Sequence, residues 1–344
     1  MKILYSLLGS SKTRVIYFFL LILIAPGIRS HAYGQQDLRE RANSIFGKIP
    51  LQMKGADNDS PEQIALGERL YFEKALSINN TQSCNSCHNI LDGGAGVDNL
   101  KTSIGALGES GRRNAASTWN AGFQFAQNWD AGAKTLAEQA RLPILDPLEM
   151  AMPSGKKAVK QLKRAGYKKA FKLAFPGEAR PLNYTNTTRA LAAFQRTLIT
   201  QDRFDLFLDG DEAALNDQEK RGLSLVLNKG CSICHSGPLM GGQFIIKMGL
   251  VNPYPNTEDK GHGEVTGRKQ DDFLFKVPIL RHIAQTAPFF HDGAATDLEQ
   301  AVFDTGWHQI GIKFDSQQVS DISAFLRSLD NTRPFKRKHG VVED

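Results

Sequence analysis

Two short motifs constrain this chain more than anything else in it. Cys84-Asn85-Ser86-Cys87-His88 and Cys231-Ser232-Ile233-Cys234-His235 both read C-x-x-C-H, and together they use all four cysteines. Two thiols one helical turn apart can reach the two vinyl groups of one porphyrin as thioethers. The next residue then stands under the ring as proximal iron ligand. A thioredoxin-like redox pair does not require the histidine. A zinc site needs a fourth ligand that C-x-x-C-H does not supply. Two disulfides would use four cysteines in an exported chain, but they leave both histidines unexplained. The motifs therefore predict two covalently bound haem c groups, one on Cys84, Cys87 and His88, the other on Cys231, Cys234 and His235.

The N-terminus supplies the compartment. Residues 1–14 carry Lys2, Lys12 and Arg14 and no acid, 15–25 is an unbroken apolar run, and Ser30-His31-Ala32 offers small residues flanking a cleavage site. This is the plan of a cleavable signal peptide over 1–32, which directs the chain to the periplasm. An uncleaved anchor is the other reading, but the run falls short of the ~20 apolar residues of a spanning helix. The formal charge of +6 includes Lys2, Lys12, Arg14 and Arg29. Without them the chain is near neutral, so no nucleic-acid partner is expected. The basic stretch 333–338 (RPFKRK) is a local patch.

The motifs stand 147 residues apart, and a second match accompanies them: 193–198 (AFQRTL) resembles 324–329 (AFLRSL) at an offset of 131. Ile322, Phe325, Leu326 and Leu329 have helical apolar spacing. Helix-like segments also precede each motif, at 61–72 and 218–228, the second with Asp217 or Asn216 as cap and Gly230 as stop. Each half thus reads as helix, motif, loops and closing helix. The expectation is an all-α chain of two cytochrome c-like domains related by duplication, spanning 33–205 and 206–344, with the boundary within 202–217. Little points to strands. The glycine-rich stretch 92–114 reads as a mobile or cofactor-covering loop.

Counting side chains limits the iron ligands. No histidine lies between His88 and His235, so the first haem takes Met150 or Met152 as second ligand, or has an open position. In the second half Met240 and Met248 lie too soon after His235 to cross to the other face. His262, His282, His291 and His308 are the distal candidates, or there is none; His308 is carried forward as a possible iron ligand.

At this point nearly the whole mature chain resembles the bacterial diheme cytochrome c peroxidases, a family that includes MauG-type enzymes. The resemblance rests on 83–89 (SCNSCHN), 111–123 (GRRNAASTWNAGF), 128–140 (NWDAGAKTLAEQA), 146–150 (DPLEM), 229–243 (KGCSICHSGPLMGGQ), 275–293 (FKVPILRHIAQTAPFFHDG) and the closing helix. It implies a peroxidatic first haem and a second that accepts electrons from a small exported cytochrome c or copper protein. It also implies a calcium ion between the domains and, often, a homodimer. Carried over by position, Glu149 is the distal acid–base carboxylate, Gln139 the distal amide and Trp129 the indole between the haems. Asn114, Thr286 and Pro288 are the calcium positions. A hard cation suits such oxygens. A buried carboxylate can carry the proton that peroxide cleavage moves between its oxygens.

The sequence departs from the pattern in three places. Ala106 stands where a loop histidine often caps the first haem, which implies a first haem that is open without activation. Thr305 stands where the second haem's Met, or the Tyr of MauG-type enzymes, is expected. Asn128 replaces an aromatic residue beside Trp129, and Ala131-Gly132 replace a Gly-Arg pair. Reduction of hydrogen peroxide to water is the expected reaction. The alternative is a MauG-type enzyme that oxidises Trp or Tyr residues of a partner protein. A plain electron carrier is disfavoured by Glu149, Gln139 and the missing ligand.

Overall fold

The computed structural model describes residues 38–338. The expected signal peptide, 1–32, lies outside the described residues. Among the described residues the regular structure is helical apart from one antiparallel pair of three-residue strands, β1 (Ile245–Lys247) and β2 (Leu274–Lys276), with Ile246 opposite Phe275.

Five longer helices matter here: α1 (Pro61–Tyr71), α2 (Tyr184–Gln195), α3 (Asp217–Asn228), α4 (Leu298–Ile310) and α5 (Ser316–Ser328). Their starts are written locally. Ser60 with Gln63, Asn216 with Glu219 and Asp315 with Gln318 each form a reciprocal capping box. Asn216, not Asp217, is the cap of α3. Gly230 stands just past the end of α3 at φ +95, where a side chain is disfavoured.

The helices cross in two matching pairs. In α1 against α2, a Cβ on Gly67 would strike the Ala190 carbonyl and stand 2.8 Å from Phe194 Cβ. In α3 against α5, a Cβ on Gly222 would strike the Asp321 carbonyl and stand 2.8 Å from Phe325 Cβ. Each crossing puts backbone on backbone, which only glycine allows. Phe194 and Phe325 are the aromatic residues of the two matched closing-helix segments.

Buried apolar side chains form two principal clusters. Leu66, Leu70, Tyr71, Leu191 and Phe194 belong to the first, and Leu223, Val226, Ile322, Phe325 and Leu329 to the second. Membership departs from the 33–205 and 206–344 division. Ala42, Phe46 and Phe204 join the second cluster, and Phe335 packs against the first. The 333–338 stretch is accordingly more than a charged patch. Phe335 stacks near Phe72 and Phe194, Arg337 lies over Phe72, and the Lys338 N–H donates to Glu68.

Arg281 ties distant segments together. It is fully buried; its guanidinium donates to both Asp202 oxygens at 2.6 and 2.7 Å, to Asp205, and to the carbonyls of Gly47 and Pro238. Asp202 also caps the helix Arg203–Leu208. Pro238 lies in the loop just after the second motif, so this ion cluster fixes that loop to the N-terminal segment at Gly47 and to mid-chain at Asp202 and Asp205.

Replacing Arg281→Met strands two carboxylates, and breaking such a buried pair costs about 3–5 kcal/mol. Burial drives the Asp202 carboxyl upward in pKa. Its uncompensated charge is therefore most costly at high pH, and the deficit should shrink as pH falls and Asp202 takes a proton. Urea unfolding at pH 7 and pH 5 measures both; an equal loss at the two values refutes the electrostatic account.

Candidate haem sites

Each motif folds as one helical turn, Cys84–Cys87 and Cys231–Cys234, with the histidine as its C-terminal cap. All four cysteines are free of disulfides. The two imidazoles are oriented alike. His88 Nδ1 faces the Gly96 carbonyl at 3.3 Å, and His235 Nδ1 faces the Met240 carbonyl at 2.9 Å. A carbonyl accepts only a proton, so Nδ1 carries it and Nε2 keeps its lone pair. This is how proteins present imidazole to a metal.

Beside Cys231 and His235 lies a cavity. Its wall is mainly apolar, with Val226, Ile279, Phe289, Val302 and Phe314 among the contributors. One face of α4, namely Leu298, Ala301, Val302, Thr305 and Gly306, forms part of it. Lys276 also lines it. That amine is buried, donates to Gln124 Oε1, and is pushed down to about 8 by burial. An apolar cavity with the Cys231 thiol and the His235 imidazole on its wall fits a haem group.

At the first motif the neighbouring carboxyl is Glu149. It is close enough to Cys84 and Cys87 to act on both electrostatically. Burial pushes its pKa from 4.5 up to about 7, with Asp146 adding a smaller upward push. The glycine-rich stretch is tied to its backbone. Ile104 and Ser110 bridge, the Ala106 N–H donates to the Glu149 carbonyl at 2.6 Å, and Asn79 donates to the Ala106 carbonyl. Gly105 rests so closely on the Leu148 carbonyl that no Cβ fits. Met150 and Met152 are core residues of the first cluster.

Comparisons agree with this geometry. The family described as "Di-haem cytochrome c peroxidase" matches residues 61–213. "Cytochrome c551 peroxidase" of Pseudomonas aeruginosa is 39% identical over 307 residues, covering 86% of this chain and 87% of the relative. "Methylamine utilization protein MauG" of Methylorubrum extorquens is 36% identical, covering 78% of each. A solved MauG-like protein associated with microbial copper homeostasis shares 30% identity and a TM-score of 0.73, covering 83% of this chain and 94% of that one. The chain belongs to the di-haem cytochrome c peroxidase family. It is a cytochrome c peroxidase-like oxidoreductase with two haem groups.

Several positions expected from the family pattern gather on the cavity wall of this di-haem peroxidase. Trp129 lines it and donates its indole N–H to the Asn114 carbonyl at 2.9 Å. Asn114, Thr286 and Pro288 line it too. The Asn114 amide nitrogen is spent on the Leu100 carbonyl. Its Oδ1 and the carbonyls of Thr286 and Pro288 accept no hydrogen bond among the described residues. Three available oxygens fit a hard cation.

Gln139 is half-buried at the end of the turn Leu136–Gln139, and no hydrogen bond joins its side chain to Glu149 among the described residues. His308 is not among the residues that line the cavity, whereas Thr305 one turn earlier is; the His308 Nδ1 faces the Asn252 carbonyl at 3.0 Å and its ring packs on Tyr254. The helical spacing within 298–306 contained this distinction. Sequence reasoning also missed Lys276 and Arg281, whose burial shows only once 275–281 wraps the cavity.

Gly241 sits at φ +136, with its added Cβ meeting the Pro278 carbonyl and standing 3.3 Å from His235 Nδ1. Gly241→Ala should lower unfolding free energy by about 1–3 kcal/mol. Gly108→Ala, at φ +85 with nothing within 4 Å, should cost about 1 kcal/mol or less. Parallel denaturant titrations check the order, and equal losses refute a clash at His235.

Proposed function

We propose that the protein is an exported peroxidase that reduces hydrogen peroxide to two waters with two electrons and two protons, at a first site with no histidine over it. Glu149 carries this reading: it is a carboxyl beside Cys84 and Cys87, pushed up to about 7 chiefly by desolvation. The haem held by Cys84, Cys87 and His88 would supply the electrons that cleave the O–O bond. Glu149 as carboxylate takes the proton from one peroxide oxygen and returns it to the other, which leaves as water. A group with a pKa near the working pH does both steps well. Gln139 holds the peroxide through its amide, and Trp129 lies on the path between the haems. Ala106 presents a methyl group where a histidine would close the site.

The second haem, on Cys231, Cys234 and His235, receives electrons from a small exported cytochrome c or copper protein. Calcium binds at Asn114, Thr286 and Pro288 and stiffens the wall that carries Trp129. The paired crossings at Gly67 and Gly222, together with the matched clamps on His88 and His235, support two domains derived by duplication. The leader over 1–32 supports the periplasm.

One observation favours the second reading, oxidation of a partner protein's Trp or Tyr. A ladder of rings runs from Trp129 to His291 at 6.5 Å, on to Tyr254 at 5.7 Å and on to half-exposed His308 at 5.4 Å. Negligible turnover of reduced cytochrome c, despite rapid consumption of peroxide, would decide for it.

Glu149→Gln should slow the reaction with peroxide by roughly 100-fold or more. The wild-type rate should rise with pH through about 7 as the carboxyl ionises, and the variant should lose that rise. Stopped-flow mixing across pH 5–9 measures both, and near-normal kinetics remove Glu149 from the role. Asn114→Ala should weaken calcium binding by roughly 10-fold, the equivalent of one lost oxygen contact at about 1.4 kcal/mol. Calorimetry on chelator-treated holoprotein reads it, and an unchanged affinity refutes the site.

A further inference from the structure

We propose that the site of Cys231, Cys234 and His235 has no side-chain ligand opposite His235, and that the Thr305 hydroxyl donates a hydrogen bond to water or a small anion bound there. This rests on the reading that a haem is held by those three residues.

The cavity wall carries the argument. Iron in such proteins takes imidazole, thioether, thiolate or phenolate as axial ligand, and no methionine or tyrosine lines this cavity. His235 is the proximal residue. His282 lines it, but its Nδ1 accepts the Asn331 N–H at 3.1 Å. The proton of a neutral ring is then on Nε2, which has no lone pair to give. Lys276 is tied to Gln124. His291, which stacks on Phe275 at 4.1 Å, and His308, whose Nδ1 faces the Asn252 carbonyl, are not among the residues lining the cavity.

Thr305 is the remaining group at the expected position. It sits on the stripe of α4 that faces the cavity, beside Gly306, whose missing side chain leaves room for Phe314. A threonine within a helix often turns its hydroxyl back to the carbonyl four residues earlier. The Thr305 hydroxyl makes no hydrogen bond among the described residues, so its Oγ1 is available. A neutral hydroxyl is a poor iron ligand but a good donor to a bound anion.

Full-length ferric holoprotein with both haems loaded tests this, with electron paramagnetic resonance, near-infrared absorption and azide as probe. The wild type should be entirely high-spin. Thr305→Met should turn half of the haem low-spin and add a thioether-to-iron band. A wild type that is already half low-spin, and unchanged in Thr305→Met, overturns the inference, because another side chain then fills the position. A wholly high-spin wild type unchanged by Thr305→Met also overturns it, because residue 305 then does not face the iron. A half low-spin wild type that becomes wholly low-spin in the variant upholds it and removes the open first site instead. Thr305→Val keeps the volume and deletes the donor. It should weaken azide binding at one of two sites by roughly 10-fold, and unchanged affinity at both overturns the role of the hydroxyl.

Discussion

The folding of both halves depends on one requirement: an imidazole that must present a bare Nε2 has to bury its Nδ1–H against an acceptor. The acceptor is a backbone carbonyl each time, Gly96 for His88 and Met240 for His235. Those carbonyls belong to residues 8 and 5 positions further on, so the chain must turn back as soon as the motif ends. Gly96 does so at φ +75 and Met240 at φ +53, followed by Gly241 at φ +136. The glycine clusters after the two motifs follow from that reversal. Once the imidazole is fixed, the preceding and closing helices have one place to pack, and Gly67 and Gly222 let them approach to backbone contact.

Much of this was legible because it is local. The C-x-x-C-H spacing, the capping residue of α3, and the apolar stripe Ile322, Phe325, Leu326 and Leu329 each encode structure within a dozen residues. The long-range features were hidden for the opposite reason. Nothing near Phe46 announces that it packs with Phe204, and nothing near Phe335 points to Phe72 and Phe194. Arg281 reads as one more cation until Asp202, Asp205 and Pro238 surround it. The strand pair is too short to show a period of two. At the sites, proximity of Glu149 to the first motif followed from family position, whereas the choice between Thr305 and His308 needed the helix to be placed, since three residues of rotation decide which one meets the cavity.

The outer segments gain meaning from the two cores. Residues around 42–46 join the second cluster and 335–338 the first, so each end of the described chain docks on the half that is remote from it in sequence. A haem domain of this size has little apolar material beyond its cofactor, and surface area weighs heavily against it. Borrowing Phe46 and Phe335 adds buried aromatic area to both. It also couples the halves, because loosening either end exposes the core of the other.

The two sites share a scaffold and differ in what the chain sets beside it. Near Cys84 and Cys87 stands Glu149, whose carboxyl is pushed up to about 7. On the wall beside His235 stands Thr305, with no carboxyl among the cavity's lining residues. Cleaving peroxide needs a base that accepts a proton and, as an acid, gives it back within one turnover. A threonine hydroxyl can hold a bound oxygen in place, but it does not ionise in the range where a carboxyl of pKa about 7 exchanges protons. Access to the metal alone therefore would not make the second site a peroxidase. If both positions are open, the division of labour rests on proton chemistry rather than on coordination, and a carboxyl whose pKa is raised to about 7, Glu149, stands beside the first motif alone.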